Sequence, residues 1–168
     1  MISIRNLSLA LVVVASLASC GETRHMSDEQ PPFKTIVYHS SRCNGSCPEI
    51  DLQIDSNKNV FVSREFFKSK SETDSTRSGN FSGVLNTAQY DTLQSLLKRT
   101  DYKQLKFPDV TCCDGVVTTI IVYDNNNQRT YLKSMTPPEE AAPLIQFLRA
   151  LGGDEQLKKT TQVPQFEE

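Results

Sequence analysis

The sequence holds no run of about 20 apolar residues, the length that a bilayer-spanning helix needs. It holds no excess of basic charge either: 18 Lys and Arg against 20 Asp and Glu leave a formal net charge of −2. The first absence argues against a helical transmembrane anchor. The second removes the general attraction for nucleic acid that a basic face provides. No G-x-S-x-G, H-E-x-x-H or phosphate-cradling Gly loop occurs. Tryptophan is missing, and histidine is confined to His25 and His39. Charged residues make up 23% of the 168, which argues against both wholesale disorder and a multi-span membrane protein. That length suits one domain with tails.

What is present begins with an address. Met1 to Asn6 carries Arg5, and Leu7 to Ser16 is almost wholly apolar but about half the length of a membrane span. Leu17-Ala18-Ser19-Cys20 has the form of the bacterial lipobox: a branched apolar residue, two small residues for peptidase access, then the thiol that receives lipid. The expectation is a lipoprotein precursor with a signal peptide over 1–19, acylated on Cys20 with palmitate-type chains. Several chains on one residue make a stable anchor. The body then folds in the cell envelope, at the outer membrane on its periplasmic or surface side, where thiols tend to become disulfides. Residues 20–32 read as lipidated Cys and flexible tether; Asp28-Glu29 fits a solvated linker better than a sorting signal. Residues 33–153 read as one domain and 154–168 as a disordered tail.

Within the body, Lys34 to His39 is β-rich and Ile50 to Asp55 alternates apolar and polar, as a half-buried strand does. Ser56 to Asn59 is turn chemistry, and Val60 to Phe67 resumes as a strand. Lys68 to Ser75 reads as a loop, and Thr76 to Phe81 as a third strand of the meander. A helix follows, capped by Asn86 with Gln89, and with Tyr90, Leu93, Leu96 and Leu97 on one face. Val116 to Tyr123 and Arg129 to Ser134 read as a hairpin around Asp124 to Asn127. The last helix is signalled by Thr136 as cap, Pro137 in the first turn, Glu139 completing a capping box and Gly152-Gly153 at the end. The fold class is α+β: a mainly antiparallel sheet in the order strands, helix, strands, helix, with two helices packed on one face.

With Cys20 lipidated, Cys43, Cys47, Cys112 and Cys113 remain as disulfide candidates, and four cysteines allow three pairings. Three residues separate Cys43 from Cys47, which permits a bridge across a turn with Gly45 supplying backbone freedom. Cross-pairing with Cys112 or Cys113 would close a loop of about 65–70 residues, the more stabilising choice in the chain-entropy model. A Cys112–Cys113 bridge would be a strained ring. Free thiols and four-cysteine zinc binding are the remaining readings, the latter with unsuitable spacing. Dithiol oxidoreductases place two residues between their cysteines at a helix start; here there are three, followed by Pro48 and a strand pattern.

Other chemistry is sparse, and no catalytic residue, metal site or cofactor is assigned. His39 stands alone in a strand, where a structural role is the ordinary one. Glu49, Asp51 and Asp55 lie close in sequence, but alternation sends Asp51 and Asp55 to a solvated face. Asp124 to Asn127 lacks the ligand spacing and final Glu of a calcium loop. Asp109 and Asp114, beside the second cysteine pair, are the remaining polar cluster of interest.

The element Arg42-Cys43-Asn44-Gly45-Ser46-Cys47-Pro48, with the alternating strand behind it, resembles the bacterial envelope proteins grouped as domain of unknown function 6438. The likeness runs from about Thr35 to Leu151 and includes the polar turn, the aromatic strand, the helix near Tyr90 to Lys98, Asp101-Tyr102 and the final helix. The resemblance implies a local pairing of Cys43 with Cys47, and it implies no activity or ligand. Anchor, tether and body together suggest a non-catalytic domain that binds or scaffolds another envelope component. A thiol–disulfide redox or sensor protein using Cys43 and Cys47, and an inhibitor-like module presenting a loop or sheet edge, are the alternatives. The partners expected are the membrane, through the N-terminal lipid, and an envelope protein or ligand, with no nucleic acid. Cys20→Ala should release the protein from membranes and abolish acyl labelling, read by fractionation and metabolic labelling with a palmitate analogue.

Overall fold

A computed structural model describes residues 31–109, 114–162 and 165–167. Alternation decides the centre of the sheet. Thr35–Ser40 (β1), Glu49–Asp55 (β2) and Asn59–Glu65 (β3) pair antiparallel, and Leu52 and Ile54 of β2 lie opposite Val62 and Val60 of β3. Asp55 builds the turn between them, its carboxylate accepting from the backbone N–H of Asn57 at 2.8 Å and of Asn59 at 2.9 Å. Beyond β3 the chain makes a separate small ribbon from Phe67–Ser69 (β4) and Glu72–Thr73 (β5). It returns as Gly79–Val84 (β6) beside β3. The third meander strand is thus shifted along the chain from Thr76–Phe81, and Lys68 to Ser75 holds a ribbon in place of a plain loop.

Thr87–Thr100 (α1) starts as its sequence expects. The Asn86 side chain accepts from Gln89 N–H at 2.9 Å, and the Gln89 side chain accepts from Asn86 N–H at 3.0 Å. Lys98 and Arg99 occupy its last turn. Thr118–Tyr123 (β7) and Arg129–Ser134 (β8) form the second hairpin, and β7 lies along the free side of β1. Ala142–Gly152 (α2) follows. Its start corrects the sequence reading: Thr136 does not cap it, and no capping box with Glu139 forms. Two consecutive prolines, Pro137 and Pro138, fix φ and keep the chain extended. The chain enters through a 3₁₀ turn over Glu139–Ala141, without a side-chain cap.

The second difference lies after Gly153. Lys158–Lys159 (β9) pairs antiparallel with β6, and Leu157 packs against the core beside Gly83, where a Cβ would meet the Leu157 side chain at 2.6 Å. The segment expected to leave the domain therefore adds a strand to it. Among the described residues, the sheet has seven strands in the order β8-β7-β1-β2-β3-β6-β9. One buried cluster joins Ile36, Tyr38, Ile50, Leu52, Val62, Ile120 and Val122 of the sheet to Leu93 and Leu97 of α1 and Leu144 and Leu148 of α2. Gly152 is required where α2 meets β2, because a Cβ there would come within 2.5 Å of Ile50 Cγ2.

Arg64 is the exception in this apolar layer. It occupies a core-facing position of β3, is buried, and donates from Nη1 to Gly152 O and Asp154 O, each at 2.9 Å. Its Nε donates to Arg77 O at 3.0 Å, and its guanidinium stacks 3.9 Å from the Phe81 ring. Burial first, then the neighbouring Arg77 charge, pull its pKa below the ordinary value. The Gly152 carbonyl is one of those that the C-terminal end of a helix leaves without partners. Tyr38, in contrast, is fully buried with a hydroxyl that bonds nothing among the described residues. Thermal or urea unfolding should separate the two: Arg64→Ala costs about 2–4 kcal/mol through stranded carbonyls, whereas Tyr38→Phe is neutral or stabilising by about 1 kcal/mol.

Candidate functional site

Three features crowd one end and one edge of the sheet. The first is the loop between β1 and β2. Its root is tied to the segment before β7: Ser41 N–H donates to Val117 O, and Val117 N–H donates to Ser41 Oγ, both at 2.9 Å. Cys43 and Cys47 are joined in a disulfide with Cα atoms 5.5 Å apart. Between them, Asn44 donates its backbone N–H to Asp114 O at 3.2 Å and its side-chain amide to Asp114 Oδ2 at 2.9 Å. Lys70 Nζ donates to Asn44 Oδ1 at 2.9 Å. Arg42 donates to Lys70 O and stacks 3.9 Å above the Phe67 ring.

The loop is therefore held from both sides, by the β4–β5 ribbon and by the residue that directly follows Cys113. Cys112 and Cys113 lie outside the described residues, as do Cys20 and the residues before it. The bridged loop runs into β2 at Glu49, not into a helix N-terminus, so no helix dipole lies on its thiols.

The second feature is polar. His39 and Asp51 are register partners on β1 and β2, and His39 Nδ1 donates to Asp51 Oδ1 at 2.6 Å. His39 is not the solitary side chain that its isolation in the sequence suggested. The signal was available: two strands joined through the Ser41–Pro48 loop bring residues 39 and 51 opposite each other. A shallow recess of about 350 Å³ continues from Asp51 to Ser63, Glu49 and Glu65. Among the described residues no group of three His, Cys, Asp or Glu side chains is arranged to hold a metal ion. Asp55 and Asp124 prove to be turn builders. Asp124 accepts from Asn126 N–H and Gln128 N–H, each at 2.9 Å, and from Lys103 Nζ at 3.0 Å. The Lys103 bond, with those backbone N–H groups, holds its carboxyl below the ordinary carboxylate value.

The third feature was not legible in the sequence. A cleft of about 600 Å³ runs beside β8, between that strand and residues 105–109. Leu105, Phe107, Val117 and Met135 give it apolar walls, and Lys106 and Lys133 stand at it without ion-pair partners among the described residues. Asp109 also lines it, and Asp114 accepts the Asn44 side-chain amide at the disulfide loop.

Along β8 the ladder alternates, and Ser41–Val117 and Asp124–Gln128 bonds fix its phase. The backbone groups of Arg129, Tyr131 and Lys133 consequently point away from β7. No described residue bonds them. The side chain of Tyr131, at 40% exposure, is among the large apolar groups left in solvent.

The disulfide closes a ring of only a few residues, so its thermodynamic weight is modest and its local effect large. Cys43→Ser with Cys47→Ser should cost about 2 kcal/mol of stability. Hydrogen exchange should accelerate at the Asn44 amide and leave the α1 amides unchanged at matched stability.

No helix among the described residues is long and apolar enough to cross a membrane. No curated protein matches the sequence. The model of a family described as domain of unknown function (DUF6438) matches residues 34–152, which takes in β1 through α2, the disulfide loop and the edge cleft. With most of its length and its whole helix-bearing body inside that match, the chain belongs to the DUF6438 family.

Proposed function

We propose that this is a lipid-anchored envelope protein, held through Cys20, whose domain binds a segment of another envelope component without catalysing a reaction. The anchor rests on the Leu17-Ala18-Ser19-Cys20 motif after a short apolar run. The domain is read as two layers, with both helices on one face of the sheet, which keeps the opposite face and the β8 edge clear of helices.

The observation that carries the binding role is that edge. Three residues of β8 offer backbone donors and acceptors that no described residue bonds, beside an apolar cleft, and two lysines without ion-pair partners among the described residues flank the same cleft. That combination suits strand addition: an extended polypeptide supplies main-chain hydrogen bonds, one apolar side chain enters the cleft, and a carboxylate lies between Lys106 and Lys133. The disulfide loop contributes rigidity, since it ties the β1–β2 connection to the segment leading into β7 and so holds the edge hairpin in place.

Selection of a displayed decapeptide library on the full mature chain tests the assignment. Sequences alternating apolar residues with Asp or Glu should be enriched, and Lys106→Glu with Lys133→Glu should weaken them tenfold or more. Peptides that bind both forms equally, or no enrichment, would contradict it.

A further inference from the structure

Val37 and Ile121 are buried, at 3% and 0% exposure, yet neither belongs to the core cluster that contains the helix residues. They are register partners, and Tyr131 continues their row on β8. Val122 and Leu132 enter the core, so alternation sends Ile121, Tyr123, Arg129 and Tyr131 to the opposite face. On that face sits a residue from beyond the family domain. Arg129 Nε donates to Glu167 Oε1 at 2.8 Å, and Tyr123 Oη donates to Glu167 Oε2. The Arg129 guanidinium also lies 4.6 Å from the Tyr131 ring. Phe166 is half-buried without being among the side chains packed on the core.

The tail sets out from the far border of the sheet. Thr160 N–H donates to Asn80 O at 3.0 Å, so the chain there still runs beside β6. Glu167 is eight residues beyond Lys159, a reach of at most about 29 Å when fully extended. Five interstrand spacings, about 24 Å, separate β9 from β7. That reach suffices for Glu167 to meet Tyr123 and Arg129 of its own chain.

We infer that Tyr123 and Arg129, beside the Tyr131 end of the row, form a clamp for the chain's own C-terminal residues 165–167, latched in cis by the Glu167 carboxylate. Arg129 and Glu167 are each 40% exposed, and an exposed pair of this kind shifts an equilibrium by about fivefold at most. The latch is therefore reversible. Released, residues 165–167 free Tyr123 and Arg129 beside the Tyr131 ring, and bound, they compete with any other acidic segment for that clamp. The hydrogen bond to Glu167 also raises the Tyr123 hydroxyl pKa above its ordinary value.

Because the chain has no tryptophan, Phe166→Trp provides a single reporter. In the full mature chain, acrylamide quenching of that tryptophan should at least double when Glu167→Ala is added, at every protein concentration. Equal quenching with and without Glu167 would overturn the latch. Protection that disappears on dilution would place a second copy's tail on the clamp and overturn the cis assignment. Limited proteolysis of the chain with native Phe166 gives an independent reading. Glu167→Gln should speed cleavage within 160–167 by about two- to fivefold, and an unchanged rate contradicts the inference.

Discussion

A guanidinium inside the sheet's apolar layer organises this molecule. Burying a charged group is costly unless its donors are met, and Arg64 meets them with the carbonyls of Gly152, Asp154 and Arg77. That arrangement fixes where α2 ends. Once it ends there, Gly152 lies against Ile50, the chain turns back, and Leu157 reaches the bare backbone of Gly83. β9 then joins β6, and the tail beyond it starts from the border of the sheet. A side chain on β3 thus sets the position of elements about 90 residues later in the chain.

What could be read from the sequence was local. The β2–β3 hairpin follows from alternation plus Asp55, and α1 from Asn86, Gln89 and its leucine stripe. Each rests on contacts within a few residues. Non-local placement was not visible. Nothing in Thr118–Tyr123 says that it lies beside β1, and nothing in Lys158–Lys159 says strand. The Thr136 capping box failed because the prolines that signal a helix start also prevent that start from being capped there. Arg64 shares the alternating face of Val60 and Val62, so its burial was written in the pattern, though its carbonyl partners were not. The edge cleft joins residues 105–109 to 131–135, and only the folded chain brings those segments together.

The two ends of the sheet are held in different ways. At the Cys43–Cys47 end a covalent bridge, Asn44–Asp114 and the Arg42–Phe67 stack fix the loop. At the Tyr123–Arg129 end a half-exposed carboxylate does the holding. A stiff end suits the presentation of a fixed edge. Exposed edge strands invite unwanted pairing, and charged side chains are the usual guard. Arg129 and Lys133 flank Tyr131 on β8, so the same charges that discourage a second copy would receive an acidic partner strand.

The central claim is that β8 takes up an extended segment of an envelope partner. Site-specific photocrosslinking in living cells tests it most directly, with the reactive residue placed in the full chain at Lys133, or at Lys68 on the β4–β5 ribbon as control. The account predicts one discrete adduct from position 133, mapped to an extended acidic segment, and none from position 68. Indistinguishable patterns from the two positions, or adducts that Lys106→Glu leaves unchanged, would contradict it.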